Sequence, residues 1–433
     1  MYITRVQLDG IKGFSGARAV DLRLAGRGGW TVLAGRNGAG KSTLLQAVAL
    51  VLGGPGVARA LVPSIAGWVS GGASTGEVTV EAGPKPKEKS SLRVLLWRNP
   101  DRTNPQDAEA LHWQGATETS WPGHSNAWFY AGYGPFRRLS GGSSEAQRLM
   151  TAQGPGNRLA TLFHEDASLA EGVSWLIDLR LRSYEEDPER GESRRLLDQV
   201  LTLLGDGLLP DRYQIQRVTA DGLWVREAGD DGPGFPLREM SDGYRTVAAL
   251  VLDLVRQLHA THGPLRTEAT PSGGIALTHP GVVLIDEVDA HLHVTWQRRI
   301  SGWLREHFPH IQFIVTSHSP YICQAADEGG LIRLPGPEEQ APPAVVDEDL
   351  YRRVVYGSGD DAVLSELFGL ETPYSTRAEE RRRRLVALER KVYAETATAG
   401  EIAEYQELSD LLTSSLESRV AEVSARLEGE PER

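Results

Sequence analysis

The residues with the clearest chemical capacity are Gly35-Arg36-Asn37-Gly38-Ala39-Gly40-Lys41-Ser42-Thr43, which fit G-x-x-x-x-G-K-[ST]. Glycines at these positions let the backbone curl until its N–H groups converge on phosphate oxygens. A helix starting just after adds the positive end of its dipole. Lys41 has the reach to meet the outer phosphates of a nucleoside triphosphate, and the Ser42 hydroxyl suits Mg2+. Gly35, Asn37, Gly38, Ala39, Gly40, Lys41, Ser42 and Thr43 are therefore the expected ATP-binding loop, with Ser42 as a metal ligand. The motif needs a strand before it and a helix after it. Trp30-Thr31-Val32-Leu33-Ala34 supplies the strand and Leu44-Leu45-Gln46-Ala47-Val48-Ala49-Leu50 the helix.

Three later segments carry compatible chemistry. Val282-Val283-Leu284-Ile285-Asp286-Glu287 reads as a buried strand delivering two carboxylates at its carboxyl end. Asp286 is the expected Mg2+ ligand, through water, and Glu287 is expected to orient and deprotonate an attacking water. Thr316-Ser317-His318-Ser319-Pro320 ends the next strand and places His318 to hydrogen-bond a γ-phosphate or that water. Glu239-Met240-Ser241-Asp242-Gly243-Tyr244-Arg245 opens a helix. There Ser241 and Gly243 offer a hydroxyl and bare N–H groups to an anion, against the competing reading of Ser241 or Asp242 as an ordinary N-cap. Asp289, close behind Glu287, is placed to couple one site to a neighbour. His291 and His293 alternate nearby. With no cysteine close and the carboxylates assigned to Mg2+, they are not expected to form a zinc site.

These motifs must be positioned by an α/β fold. Residues 1–35 read as two or three strands, 53–76 as a Gly-, Ser- and Pro-rich loop. Glu77–Glu81 and Leu92–Trp97 read as strands set among polar insertions, and Trp128–Tyr133 as another strand. Leu169, Val173, Leu176, Ile177 and Leu181 make 157–205 helical. Residues 211–237 return to β character, and Val247, Leu250, Val251, Leu254 and Leu258 predict a helix after Asp242. The expected organisation is an ATPase head over 1–375 with a helical lobe at 136–210, inserted between the Gly-rich loop and Ser241. A helical region over 376–433 follows, with helices at Arg377–Thr396 and Gly400–Leu427.

The 433 residues carry 46 basic and 58 acidic side chains, a net charge of −12. That balance argues against indiscriminate coating of nucleic acid but leaves room for a local basic groove, for which Arg137-Arg138 and Arg381–Arg384 are candidates. The single cysteine, Cys323, excludes an internal disulfide and fits a reducing compartment. With no signal-peptide pattern at the N-terminus and no apolar run of spanning length, the expected location is the cytoplasm, with no membrane partner.

In this order the Gly-rich loop, the Ser-x-Gly segment, the Asp-Glu strand and His318 resemble the ABC-type ATPases of the SMC, RecF and OLD groups, over about residues 1–335. Ile3-Thr4-Arg5-Val6-Gln7-Leu8 with Phe14 looks like their opening strands. The resemblance implies an α/β, ABC-type P-loop ATPase head with slow, Mg2+-dependent hydrolysis. It also implies a head-to-head dimer or higher oligomer, each ATP held between one subunit's P-loop and the other's Ser241–Gly243. Departures are visible. Ser241-Asp242-Gly243 replaces the usual Ser-Gly-Gly. Tyr133-Gly134-Pro135-Phe136-Arg137 stands where a glutamine loop belongs, with Gln153 the nearest substitute. No long heptad run is present. Asp327-Glu328-Gly329-Gly330 and Gly359-Asp360-Asp361 match the OLD nuclease domain poorly and are expected in turns and helix starts. The Tyr-Gly-Pro-Phe-Arg segment, with Tyr356-Gly357-Ser358 and Glu366–Leu370, is similar to the stand-alone ATPases of bacterial anti-phage systems (PtuA-like, of Septu and retron systems). That similarity implies a regulatory ATPase acting with a separately encoded effector such as a nuclease. The alternative is a RecF-like maintenance ATPase acting on DNA.

Overall fold

The computed structural model describes residues 2–62, 67–71, 73–83, 91–98, 111–114, 128–137, 150, 155–184, 190–209, 213–229, 232–370 and 372–412. In chain order the strands are β1 (Tyr2–Asp9), β2 (Val20–Arg23), β3 (Gly29–Ala34), β4 (Thr75–Gly83), β5 (Ser91–Arg98), β6 (Leu111–Gln114), β7 (Phe129–Tyr133), β8 (Tyr213–Thr219), β9 (Gly222–Glu227), β10 (Phe235–Pro236), β11 (Thr267–Ala269), β12 (Ile275–Leu277), β13 (Gly281–Ile285), β14 (Ile311–Ser317), β15 (Leu331–Arg333) and β16 (Ala344–Val345). The α-helices are α1 (Lys41–Leu61), α2 (Ala160–Phe163), α3 (Ala170–Arg182), α4 (Arg190–Gly205), α5 (Asp242–His262), α6 (Val294–His307), α7 (Pro320–Cys323), α8 (Glu348–Val355), α9 (Gly359–Val363), α10 (Thr376–Tyr393) and α11 (Ala399–Leu412).

Unbroken aliphatic runs demand burial on both faces, and they form the centre of a sheet ordered β16-β15-β3-β14-β13-β7. Every residue of β13, β14 and β7 is buried. All of its strands are parallel except β16, which pairs antiparallel at the edge. Register sets Ile285 beside Val315 and Tyr133, and Ala34 beside Ser317. The carboxyl ends of these strands therefore deliver Gly35, Gly134, Asp286 and His318 to one edge of the sheet, the usual ligand edge of a parallel α/β fold.

A second, antiparallel sheet runs β2-β1-β4-β5-β6. Buried Gln312 of β14 joins it to the first. The Ile3 N–H donates to Gln312 Oε1 at 2.7 Å, and Gln312 Nε2 donates to the Ile3 carbonyl at 3.0 Å. The side-chain amide thus serves Ile3 as a neighbouring peptide would. Between the Gly-rich loop and Ser241, α3 and α4 pack on each other and on β8, whose three-stranded sheet is ordered β10-β9-β8.

The span 53–76 differs from the expected loop. Helix α1 continues to Leu61 through Gly54, whose φ of 78° marks a break in the helix. Gly53, Gly54, Pro55 and Gly56 give the segment its loop-like composition, yet buried Ala58 and Leu61 hold the distal part against the core. The polar insertion expected after Leu92–Trp97 contains β6. Arg138, Gln153 and the distal part of the second expected tail helix lie outside the described residues. The chain groups into two compact units, Met1–Gly369 and Leu370–Arg433. In the second, α10 and α11 are tied by Arg384–Glu404 and Lys391–Glu401 ion pairs. Among the described residues no helix is long and apolar enough to cross a membrane.

Candidate nucleotide-binding site

The loop between β3 and α1 adopts the curl that its glycines permit. Gly38 and Gly40 have φ of 78° and 96°, a region that residues with a Cβ rarely adopt. Gly40 is the N-cap of α1 and supplies no side-chain cap, so the first N–H groups of the helix are left for a ligand. A Cβ on Gly40 would fall 2.5 Å from Phe14 Cζ, and one on Gly35 2.5 Å from the Leu334 carbonyl oxygen. Phe14 and Leu334 thus wall the loop. The buried Lys41 ammonium donates to the carbonyls of Gly35 (2.8 Å) and Arg36 (3.1 Å). Burial pulls its pKa below the ordinary lysine value, opposed by Asp286, Glu287 and Asp289.

Those carboxylates arrive on the turn after β13. Asp286 is buried, and Thr316 Oγ1 donates to its Oδ1 at 2.5 Å. The same hydroxyl accepts the Glu287 N–H at 2.7 Å. No protein donor among the described residues bonds Asp286 Oδ2, which leaves it for a cation. Glu287 has φ of 45°, a conformation costing a non-glycine residue about 1–3 kcal/mol and held only when its surroundings fix it. Burial, then Asp286 and Asp289, push its carboxyl above the usual carboxylate value, while Lys41 and Arg137 oppose the shift.

His318 follows β14 and is exposed on one side. The protein packed around it, then the Lys41 charge, hold its imidazole below the ordinary value, opposed by Asp289 and Asp286, which favours the neutral ring. The fold thus brings Lys41, Asp286, Glu287, Asp289 and His318 into one electrostatically linked group. A phosphate cradle, a hydroxyl at Ser42 and an available carboxylate oxygen on Asp286 fit Mg2+, which takes few protein ligands and completes its shell with water and phosphate. Among the described residues no cluster of three or more His, Cys, Asp or Glu forms a metal cage.

Ser241 and Gly243 are placed elsewhere. Ser241 is the exposed N-cap of α5 by backbone position, but its side chain makes no cap hydrogen bond. A Cβ on Gly243 would lie 2.6 Å from the His291 carbonyl oxygen. The segment lines a cleft with His291, His293, Thr295 and Trp296. Among the described residues no hydrogen bond joins Ser241 or Gly243 to the Lys41 group. His293 caps α6, its Nδ1 accepting from the Thr295 N–H.

Arg137, a candidate in the sequence for a basic groove facing nucleic acid, does not face one. It is 3% exposed. Its guanidinium donates to the carbonyls of Gly134 and Asp286 (3.0 and 3.1 Å) and of Glu287 and Val288 (3.2 and 3.3 Å). In the second unit, Arg383 and Arg384 pair with Glu379 and Glu404, and Arg382 stacks on Tyr374. Two of the remaining acidic candidates have structural partners. Asp361 forms a capping box with Ser358, and Asp327 accepts from the Trp30 N–H and Arg305.

A phosphate cradle at the end of a central parallel strand, beside a paired-carboxylate turn and a histidine, defines a P-loop ATPase head. The fold matches the Smc head bound to the C-terminal winged-helix domain of ScpA, with TM-score 0.50 and 16% identity over 80% of this chain and 98% of that one. The sequence from 99 to 324, more than half the chain, matches the family described as "AAA domain, putative AbiEii toxin, Type IV TA system", and residues 5–115 match a second "AAA domain" family. The chain belongs to the first of these families. Relatives include "Septu protein PtuA" of Bacillus mycoides (strain KBAB4), 26% identical over 72% of this chain and 37% of that protein. Another is "Retron Ec83 probable ATPase" of Escherichia coli, 42% identical over 21% of this chain and 15% of that protein. The matched regions span less than half the length of these relatives.

Proposed function

We propose that the protein binds and slowly hydrolyses Mg2+-ATP, closes head to head on the nucleotide, and regulates a separately encoded effector, a nuclease, in anti-phage defence. The observation that carries the dimer is the split site: Lys41, Asp286, Glu287 and His318 gather at the cradle, while Ser241 and Gly243 open on a different cleft of the same chain. A second copy supplying Ser241 and the N-terminal N–H groups of α5 would complete the γ-phosphate's shell.

In this reading Lys41 and the first N–H groups of α1 orient the triphosphate. Glu287 takes the proton of the attacking water as the bond from the γ-phosphorus to ADP breaks. Neutral His318 hydrogen-bonds the γ-phosphate. Mg2+ held by Ser42 Oγ and, through water, Asp286 would offset charge on the outer phosphates. The defence role is supported by the Septu and retron names of the relatives. The separate effector is supported by the structural engagement of Asp327 and Asp361. The DNA-maintenance alternative loses a basic candidate with the burial of Arg137.

The test is sedimentation and phosphate release with ATP. Wild type hydrolyses ATP, Lys41→Ala fails to bind it, and Glu287→Gln slows hydrolysis about 10²–10⁴-fold and sediments as an ATP-dependent dimer. A monomeric Glu287→Gln protein at saturating ATP refutes the dimer. DNA cleavage by the isolated chain would refute the separate effector.

A further inference from the structure

Arg137 is a buried charge with which no carboxylate among the described residues forms a salt bridge. A guanidinium taken out of water without an ion-pair partner is costly unless hydrogen bonds replace its hydration. Here they come from backbone carbonyls, three of them on consecutive residues, Asp286, Glu287 and Val288. The Nε remains without an acceptor. A planar fork that bridges neighbouring carbonyls fixes their peptide planes relative to one another, which a single ammonium cannot do.

The turn it grips needs fixing. Glu287 lies in the left-handed region, and its N–H is held from the other side by Thr316 Oγ1. Arg137 and Thr316 therefore clamp the Glu287 peptide units from opposite ends. Arg137 reaches this position from β7, which pairs in parallel with β13 so that Tyr133 lies beside Ile285. The Asp286 N–H donates to the Tyr133 carbonyl at 2.8 Å, and just beyond both strands the Arg137 guanidinium bonds the Gly134 and Asp286 carbonyls. Phe136, one residue earlier, sets its ring 6.5 Å from that of His291 at the far end of the acidic turn. The Tyr133–Arg137 segment thus braces the whole turn from one side.

We propose that Arg137 is a positioning residue for ATP hydrolysis: its guanidinium holds the Asp286–Val288 turn in the conformation that aims the Glu287 carboxylate at the attacking water. The proposal rests on the reading of Glu287 as the group that activates water. It gives the segment standing in place of the glutamine loop a role of its own, one exerted through the backbone of the catalytic turn.

The experiment is steady-state ATP hydrolysis and ATP binding by full-length wild type and Arg137→Lys. Lysine keeps the charge and loses the fork. The expected result is kcat lowered about 100-fold, the cost of roughly ångström-scale misplacement of a reacting group, with KM and ATP affinity within about threefold of wild type. Should the lysine variant aggregate, Arg137→Gln, which carries no charge to bury, takes its place with the same split expected. A kcat within about threefold of wild type overturns the proposal, as does parallel loss of kcat, ATP affinity and thermal stability, which marks a purely structural role. A wild-type protein that binds ATP and never hydrolyses it removes the reading of Glu287 and the proposal with it. A hydrolysing wild type matched by Arg137→Lys overturns the proposal alone.

Discussion

Replacing Thr316 by valine removes one hydroxyl and, with it, both side-chain hydrogen bonds that β14 makes to the acidic turn, while the Thr316 carbonyl still accepts the Val288 N–H at 3.0 Å. Thr316 is fully buried, so water cannot substitute freely for the lost bonds. Its Oγ1 accepts the Glu287 N–H at 2.7 Å and donates to Asp286 Oδ1 at 2.5 Å. The first bond is neutral and worth about 1 kcal/mol; the second reaches a carboxylate and is worth about 1.5–3 kcal/mol. Their sum predicts a loss of about 3 kcal/mol. Per-kcal shifts shrink as a domain grows, so in a unit of residues 1–369 this lowers Tm by about 4 °C. Thr316→Ser is the control, since it keeps the hydroxyl and gives up one methyl, about 1 kcal/mol. Differential scanning calorimetry in the absence of nucleotide measures the stability, and phosphate release at saturating Mg2+-ATP measures the activity. Thr316→Val is expected to melt below Thr316→Ser and to hydrolyse ATP more slowly. Equal melting and equal rates for the two variants would refute the claim that this hydroxyl holds the catalytic turn.

Gly40→Ala places a Cβ against the Phe14 ring at a residue with φ of 96°; the expected result is nucleotide affinity at least about 10-fold weaker, by titration of a fluorescent ATP analogue, with stability lowered by about 1–3 kcal/mol. The thiol of Cys323 is fully buried and burial pushes its pKa well up; native protein is therefore expected to leave Ellman's reagent uncoloured over minutes, and unfolded protein to release one thiolate per chain.

The nucleotide cradle was legible because its geometry is local: strand, glycines, lysine and helix are contiguous, and each constrains the next. The same holds for Asp286-Glu287, whose aliphatic run announces a buried strand. Arg137 was misread because its partners lie 149 to 151 residues away, at Asp286, Glu287 and Val288, and no spacing rule connects them. A clue was present in its place, just past a wholly apolar strand and a Gly-Pro step, where a solvated arginine would have little room. The far half of α1 was hidden for the opposite reason: Gly53-Gly54-Pro55-Gly56 is a genuine local signal for a break, but burial of Ala58 and Leu61 makes the helix resume beyond it. Strands β15 and β16 hold three and two residues and are too short for any periodicity to register. Ser241 could be seen as a helix start, but its cleft partners at 291–296 depend on tertiary packing.

The order of the central sheet has a consequence for how the chain is made. β3 leaves the ribosome well before its two neighbours, β14 and β15, and Ile3 of β1 waits for Gln312, 309 residues downstream. At about 5–20 residues per second, the cradle strand spends roughly 15–60 s with both edges bare. Its apolar residues are therefore open to mispairing throughout synthesis, and the antiparallel partners β2 and β4 can do no more than shelter β1 meanwhile. The phosphate cradle therefore completes long after its own translation, once its Asp-Glu strand and histidine have also emerged.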